Sequence, residues 1–261
     1  MAGSLQTLIR DLRLRRGRER RGLALAEGIR LIEEALAAGI GFRGAAVAPA
    51  LEGTTRGKAL KAALERAGVA LTPVTDRELV ELADTEHPQG VVAVIEPRTW
   101  GLGDVPAGPG AVILVLDGVQ DPGNVGTIIR TAFALGGAGV AALKGTAELH
   151  NPKVVRGTMG ALFRLPCVPA TETELLEWAA AQAVELWVSE ARGEPVGGLA
   201  GRAGPRRPAI ALVLGSEGAG VSAAIAARAH RRVGIPLASG AESLNVAVAA
   251  GILLYEVKRA G

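Results

Sequence analysis

Five short runs in the second half of the chain, at 112–116, 140–143, 186–189, 210–214 and 233–235, are apolar almost without a break. Between them lie stretches with helical spacing of apolar residues, at 125–135, 173–183, 221–229 and 244–258. Strands that are apolar on every position must be buried on both faces, and helices alternating with them supply the cover. That pattern predicts an α/β domain built on a mostly parallel sheet with helices on both sides. Only seven of 261 residues are aromatic, so the core has to be assembled from Ala, Val, Leu and Ile.

The first part of the chain reads as a smaller α/β domain. Strands are expected at 23–26, 45–48, 69–74 and 91–95. Helices are expected at 27–38, with apolar residues at 29, 32, 35 and 36, and at 57–67, stopping before Gly68. Pro97, Gly101, Gly103, Pro106, Gly108, Pro109 and Gly110 then crowd a short segment that neither helix nor strand tolerates. The expected division is 1–96 for the first domain, 97–110 for a Pro/Gly linker and 111–261 for the second domain.

The net charge of +3 is small, but 10–21 holds seven arginines against Asp11 and Glu19. Alone, that run fits either a solvated helix face or a phosphate-contacting patch, since guanidinium groups bind phosphates bidentately. A single cysteine, Cys167, excludes an intrachain disulfide; it lies in an apolar, strand-like run and is expected in the core. His87, His150 and His230 lack metal-ligand spacing, so no metal is expected. No apolar segment follows the N-terminal charges and none is long enough to cross a bilayer, so a cytoplasmic protein without membrane attachment is expected.

Three turns gather the polar side chains that the apolar runs lack. In the first, Asp121-Pro122-Gly123-Asn124 follows a strand, with Asn124 expected as a helix N-cap. Three- and four-residue spacing then puts Asn124, Thr127, Arg130 and Thr131 on a common polar side. The second, Gly215-Ser216-Glu217-Gly218-Ala219-Gly220, lacks the glycine spacing of a dinucleotide fingerprint and the lysine of a phosphate loop. Its Glu217 would repel a pyrophosphate. A ligand held by backbone groups suits it better, which argues against a nucleotide-dependent oxidoreductase. In the third, Ile235-Pro236-Leu237 ends a strand, and Ser243 can cap the helix opening at Leu244 or Asn245. Pattern alone leaves Asn245 open between a solvated residue and a ligand contact. Gly251 inside that helix costs roughly 1 kcal/mol relative to Ala, which suggests that a backbone or a ligand presses there.

Taken together, Asn124…Arg130, Gly215-Ser216-Glu217-Gly218-x-Gly220 and Ile235-Pro236-Leu237…Ser243-Leu244-Asn245-Val246-Ala247 closely resemble the SpoU/TrmH branch of the SPOUT RNA methyltransferases. Ala26-Glu27-Gly28-x-Arg30 with Glu33-Glu34-Ala35-Leu36 more weakly resembles the L30e-like RNA-binding domain that many members carry. The resemblance implies S-adenosylmethionine-dependent methylation of a ribose 2′-hydroxyl in structured RNA. Ribosomal RNA is favoured over transfer RNA, in a homodimer whose C-terminal segment forms a trefoil knot. It implies catalytic roles for Asn124, Arg130, Glu217, Ser243 and Asn245, and cofactor contacts at Gly215, Ile235, Leu237 and Leu244, with Ser189 as a further wall. Arg13, Arg16, Arg18, Arg20, Arg21 and Arg30 are the expected RNA contacts. The rival from a different class is a non-catalytic L30e-like RNA-binding dimer, against which the intact Arg130 and Asn245 speak.

Overall fold

The computed structural model describes residues 4–199, 208–216 and 218–259 and divides them into two compact units. The first begins with α1 (Leu5–Leu12) and α2 (Arg15–Arg21), followed by β1 (Ala24–Glu27), α3 (Ile29–Ala37) and β2 (Gly41–Val47). It continues through α4 (Thr55–Arg66), β3 (Leu71–Pro73), α5 (Asp76–Leu82) and β4 (Val91–Glu96). The sheet order is β1-β4-β2-β3, with β4 antiparallel to both neighbours and β3 parallel to β2. Ile9 and Leu12 of α1 and Leu79 and Leu82 of α5 close one core over Leu25, Ala46, Val92 and Val94.

The arginine run is more than a solvated face. Gly17 lets α2 fold back on α1, for a Cβ there would stand 2.0 Å from the Asp11 carbonyl oxygen. Arg20 and Arg21 both donate to the Asp11 carboxylate, at 2.8 and 2.5 Å, which ties the hairpin together. Arg18 is buried, with 5% of its surface exposed, and donates to the carbonyls of Leu12 and Arg13 at 2.9 Å. This corrects the expectation for Arg18: a guanidinium committed to buried carbonyls cannot also meet a phosphate.

The second unit runs through β5 (Val112–Asp117), α6 (Pro122–Ala134), β6 (Gly139–Leu143) and β7 (Cys167–Ala170), while α7 (Pro152–Gly157), between β6 and β7 in sequence, belongs to the first unit. Then come α8 (Glu172–Ala181), β8 (Glu185–Pro195), β9 (Ile210–Gly215), α9 (Ala223–Ala226), β10 (Arg231–Gly234) and α10 (Val246–Arg259). All pairings are parallel, in the order β10-β8-β9-β5-β6-β7, as the apolar runs predicted. Leu175 and Ala179 of α8 and Ile225 of α9 pack with Val115, Ala141, Val188, Ala211 and Val213 of the sheet. Helices α6 and α10 pack on one another, and α10 also meets β5 and β9. Cys167 is buried as expected, and desolvation pushes its thiol far above the ordinary range.

Two boundaries differ from the sequence reading. Residues from Thr99 onward belong to the second unit, and Val105, in the stretch expected as linker, is buried against Ile113 and Val168. Residues 150–164, expected in the second domain, belong to the first unit. There α7 packs on β1, Arg156 pairs with Asp84 at 2.9 Å and Arg164 with Glu34 at 2.7 Å. Among the described residues no helix is long and apolar enough to cross a membrane, and no cluster of metal-ligating side chains occurs.

Candidate active site

The carboxyl ends of β5, β9 and β10 carry the three turns singled out in the sequence. After β5 the chain bends at Gly118, whose φ of +75° favours glycine. Thr146 Oγ1 holds the bend, accepting from Gly118 N–H at 3.2 Å and donating to the Leu116 carbonyl at 2.8 Å. The N-cap of α6 is Asp121 rather than Asn124: its Oδ1 accepts from Asn124 N–H at 2.7 Å, and Pro122 occupies the first turn. A carboxylate is the stronger acceptor for a helix terminus, so the Asn124 side chain is released from capping.

That side chain is used elsewhere. Asn245 Nδ2 donates to Asn124 Oδ1 at 2.9 Å. Asn245 also caps α10, accepting at Oδ1 from Ala247 N–H at 2.9 Å and Val248 N–H at 3.3 Å. The cap is therefore Asn245, not Ser243. Gly251 faces neither a backbone nor a cavity; a Cβ there would meet the Thr131 methyl of α6 at 3.4 Å, so the glycine serves helix packing.

The second turn leaves β9 at Gly215, where a Cβ would lie 2.2 Å from the Gly220 carbonyl carbon. Ser216 and Gly220 exchange backbone hydrogen bonds, and Ser216 Oγ accepts from Ala219 N–H at 3.1 Å. Glu217 lies outside the described residues. At the third turn β10 runs beside β8, close enough that a Cβ on Gly234 would meet the Glu190 carbonyl oxygen at 2.6 Å.

Two adjoining cavities result. The larger, of about 520 Å³, is lined by all five expected cofactor residues, Ser189, Gly215, Ile235, Leu237 and Leu244, and also by Ser243. The smaller, of about 300 Å³, is lined by Asn124 with Gly118, Val119, Gln120 and Asp121. Ser216, Ala219 and Val246 line both and form the wall between them. Nothing in the sequence motifs marks these wall residues, or Gln120, for a role. Arg130 lines neither cavity; it is exposed on α6 and makes no hydrogen bond or ion pair with a described residue.

The profile described as "SpoU rRNA Methylase family" matches residues 111–255, more than half of the chain. The chain belongs to the SpoU rRNA methylase family. Residues 7–93 match an "MRM3-like substrate binding domain". The 23S rRNA (guanosine(2553)-2′-O)-methyltransferase RlmP of Bacillus subtilis is 34% identical over 192 residues, 73% of either chain. The AdoMet-bound rRNA methyltransferase from Sinorhizobium meliloti superposes with a TM-score of 0.85 at 29% identity, covering 99% of this chain and 95% of that one. The SpoU methyltransferase AviRb from Streptomyces viridochromogenes, in complex with AdoMet, also gives 0.85 at 29% identity, covering 98% of each chain.

The larger cavity of this SpoU protein fits S-adenosylmethionine on its own features. Its volume lies in the range of small-molecule sites. Its glycines let backbone groups approach a ligand, and Glu190, paired with Arg232, and Glu242 are among its lining residues.

Proposed function

We propose that this SpoU protein methylates a ribose 2′-hydroxyl of 23S ribosomal RNA, with S-adenosylmethionine in the larger cavity and the target nucleotide at the smaller one. The observation that carries this reading is the shared wall: Ser216, Ala219 and Val246 border both spaces, so donor and acceptor meet there. The sulfonium of the cofactor supplies a methyl group already activated for transfer. The protein's task is then to hold the hydroxyl in line with it and to ease the loss of a proton, and positioning contributes much of the rate. The Asn124–Asn245 pair presents amide groups at the acceptor side. A guanidinium binds phosphate through paired N–H donors, so the role assigned to Arg130 is to grip the phosphate beside the ribose and polarise the hydroxyl. In this reading Ser243, which lines the donor cavity, relays the proton, and Glu217, outside the described residues, is assigned the orienting of Asn124 or Arg130.

Arg16 and Arg30 support a docking role for the first unit, since both are exposed and have no hydrogen-bond or ion-pair partner among the described residues. Arg13, Arg20 and Arg21 keep exposed edges while bonded to the Glu81 carbonyl or Asp11. A homodimer is supported by an apolar stripe on α10: Val248, Ile252 and Tyr255 are exposed, as is Phe133 of α6, three residues after Arg130. The reading keeps the trefoil knot that the family resemblance implies, in the C-terminal segment that carries β10 and α10. In this reading the protein works in the cytoplasm, beside the ribosomal RNA it modifies.

The test is methyl transfer from labelled cofactor to ribosomal RNA, with the product mapped by its resistance to alkaline cleavage. Wild type should label a ribose, and Arg130→Ala should bind the cofactor normally in calorimetry but transfer no methyl. Labelling of a base, or equal activity of the variant, overturns the reading.

A further inference from the structure

Asp117 ends an otherwise apolar strand, and only 8% of its surface is exposed. Burying a carboxylate is costly unless something holds it. Its Oδ2 accepts from the backbone N–H of Ser222 at 2.7 Å, its only hydrogen bond among the described residues. Ser222 is 105 positions away in sequence. It stands at the far end of the bend that starts at Gly215, and Gly215 is the register partner of Asp117 across β5 and β9. The carboxylate thus fastens the exit of the bend to the strand beside its entrance.

The hydrogen bonds within the bend, between Ser216 and Gly220 and between Ser216 and Ala219, stop short of that end. Gly220, at a φ of +69° that favours glycine, closes the pair of backbone hydrogen bonds with Ser216 before the chain reaches Ser222. Helix α9 spans only four residues, and Ser222 at its N-cap makes no side-chain capping bond. The same bend supplies Ser216 and Ala219, the wall shared by the two cavities. The strand that ends at Asp117 also leads into α6, which carries Asn124.

We propose that Asp117 is a positioning residue: by accepting the Ser222 amide it holds the Gly215–Ser222 bend in the shape that walls the donor and acceptor cavities. The acceptor oxygen matters, not the charge. The inference rests on reading the larger cavity as the cofactor's seat.

Three single variants of the full-length protein and one double variant test it, with two readouts. Asp117→Asn keeps an acceptor oxygen, Asp117→Leu removes it, and Ser222→Pro removes the donor at a φ of −58° that proline adopts readily. In the free protein, amide exchange at Ser222 should speed up at least about tenfold in D117L and stay near wild type in D117N. Calorimetric affinity for S-adenosylmethionine should fall by about tenfold in D117L and in S222P, the scale of one lost hydrogen bond. D117N should stay within about threefold, on the same scale. In the D117L/S222P double variant the second change should add little, because the bond is already gone. Wild-type affinity in D117L, or D117N as weak as D117L, overturns the proposal. Should D117L fail to fold, S222P decides: weakened binding in a folded protein supports the tie, unchanged binding refutes it. The exchange readout needs no cofactor, so failure of the tie and failure of the donor-cavity reading are separable.

Discussion

Asn245 reaches across 121 positions of sequence to donate to Asn124 Oδ1 at 2.9 Å, while its own Oδ1 caps α10. The cap dictates which end of the amide faces Asn124: the oxygen is committed to the helix, so the nitrogen must point across. One side chain therefore joins the starts of the two helices that carry the acceptor-side residues.

A double-mutant cycle should reveal that link. Asn245→Ala should lower stability by about 1 kcal/mol through the lost cap and reduce methyl transfer strongly. Asn124→Ala should reduce transfer with little loss of stability, since Asp121 holds the α6 terminus. In the double variant the losses in transfer should be far from additive, with a coupling of about 1 kcal/mol or more. Strict additivity in single-turnover rates would show that the two amides act independently.

The arginine run should split into two classes. Arg18→Ala should destabilise the protein by about 2–3 kcal/mol, because it leaves buried carbonyls without their charged donor. Arg16→Ala with Arg30→Ala should leave the melting temperature unchanged, weaken RNA binding and flatten its dependence on salt. Thermal denaturation and filter binding at several salt concentrations measure both effects. An unchanged salt slope in the Arg16/Arg30 variant would remove these residues from the RNA surface.

The stripe on α10 predicts the oligomeric state. Tyr255→Asp with Ile252→Asp places charge in the exposed apolar face and should convert a dimer to a monomer in sedimentation equilibrium. A wild-type protein that sediments as a monomer at all concentrations contradicts the dimer.

Acid should loosen the N-terminal hairpin. Hydrogen bonding from Arg21, then from Arg20, holds the Asp11 carboxyl below its ordinary value of 3.8. A depressed folded-state pKa contributes stability that is fully present above the unfolded value and is lost as pH falls through the folded one. Asp11→Asn should therefore melt below wild type near neutrality, with the gap closing as the pH drops below about 4. A gap that is constant with pH would mean that the carboxylate charge plays no part.

The parallel sheet was readable because strands buried on both faces are apolar at nearly every position, as in 112–116 and 210–214. Strand β7 was harder to count, since Pro169 interrupts it; proline is tolerated there because β7 lies at the sheet edge. Helix α9, expected over 221–229, shrinks to Ala223–Ala226. The cofactor wall was legible through its turns, and all five expected residues line the larger cavity. The caps were not: Asp121 and Asn124, or Ser243 and Asn245, are both competent, and tertiary partners decide between them. The partner of Asp117 could not be read at all, because it depends on the register of β5 with β9.

The excursion of residues 150–164 has a consequence for how such a protein can be cut or recombined. The first unit is not a contiguous piece of gene. A fragment ending at Arg98 would leave Asp84 without Arg156 and Glu34 without Arg164. A chimera joined there to a relative's catalytic half would inherit a foreign α7 against β1. Grafting a new RNA specificity onto this scaffold therefore requires transplanting two segments, with residues 150–164 carried along as cargo.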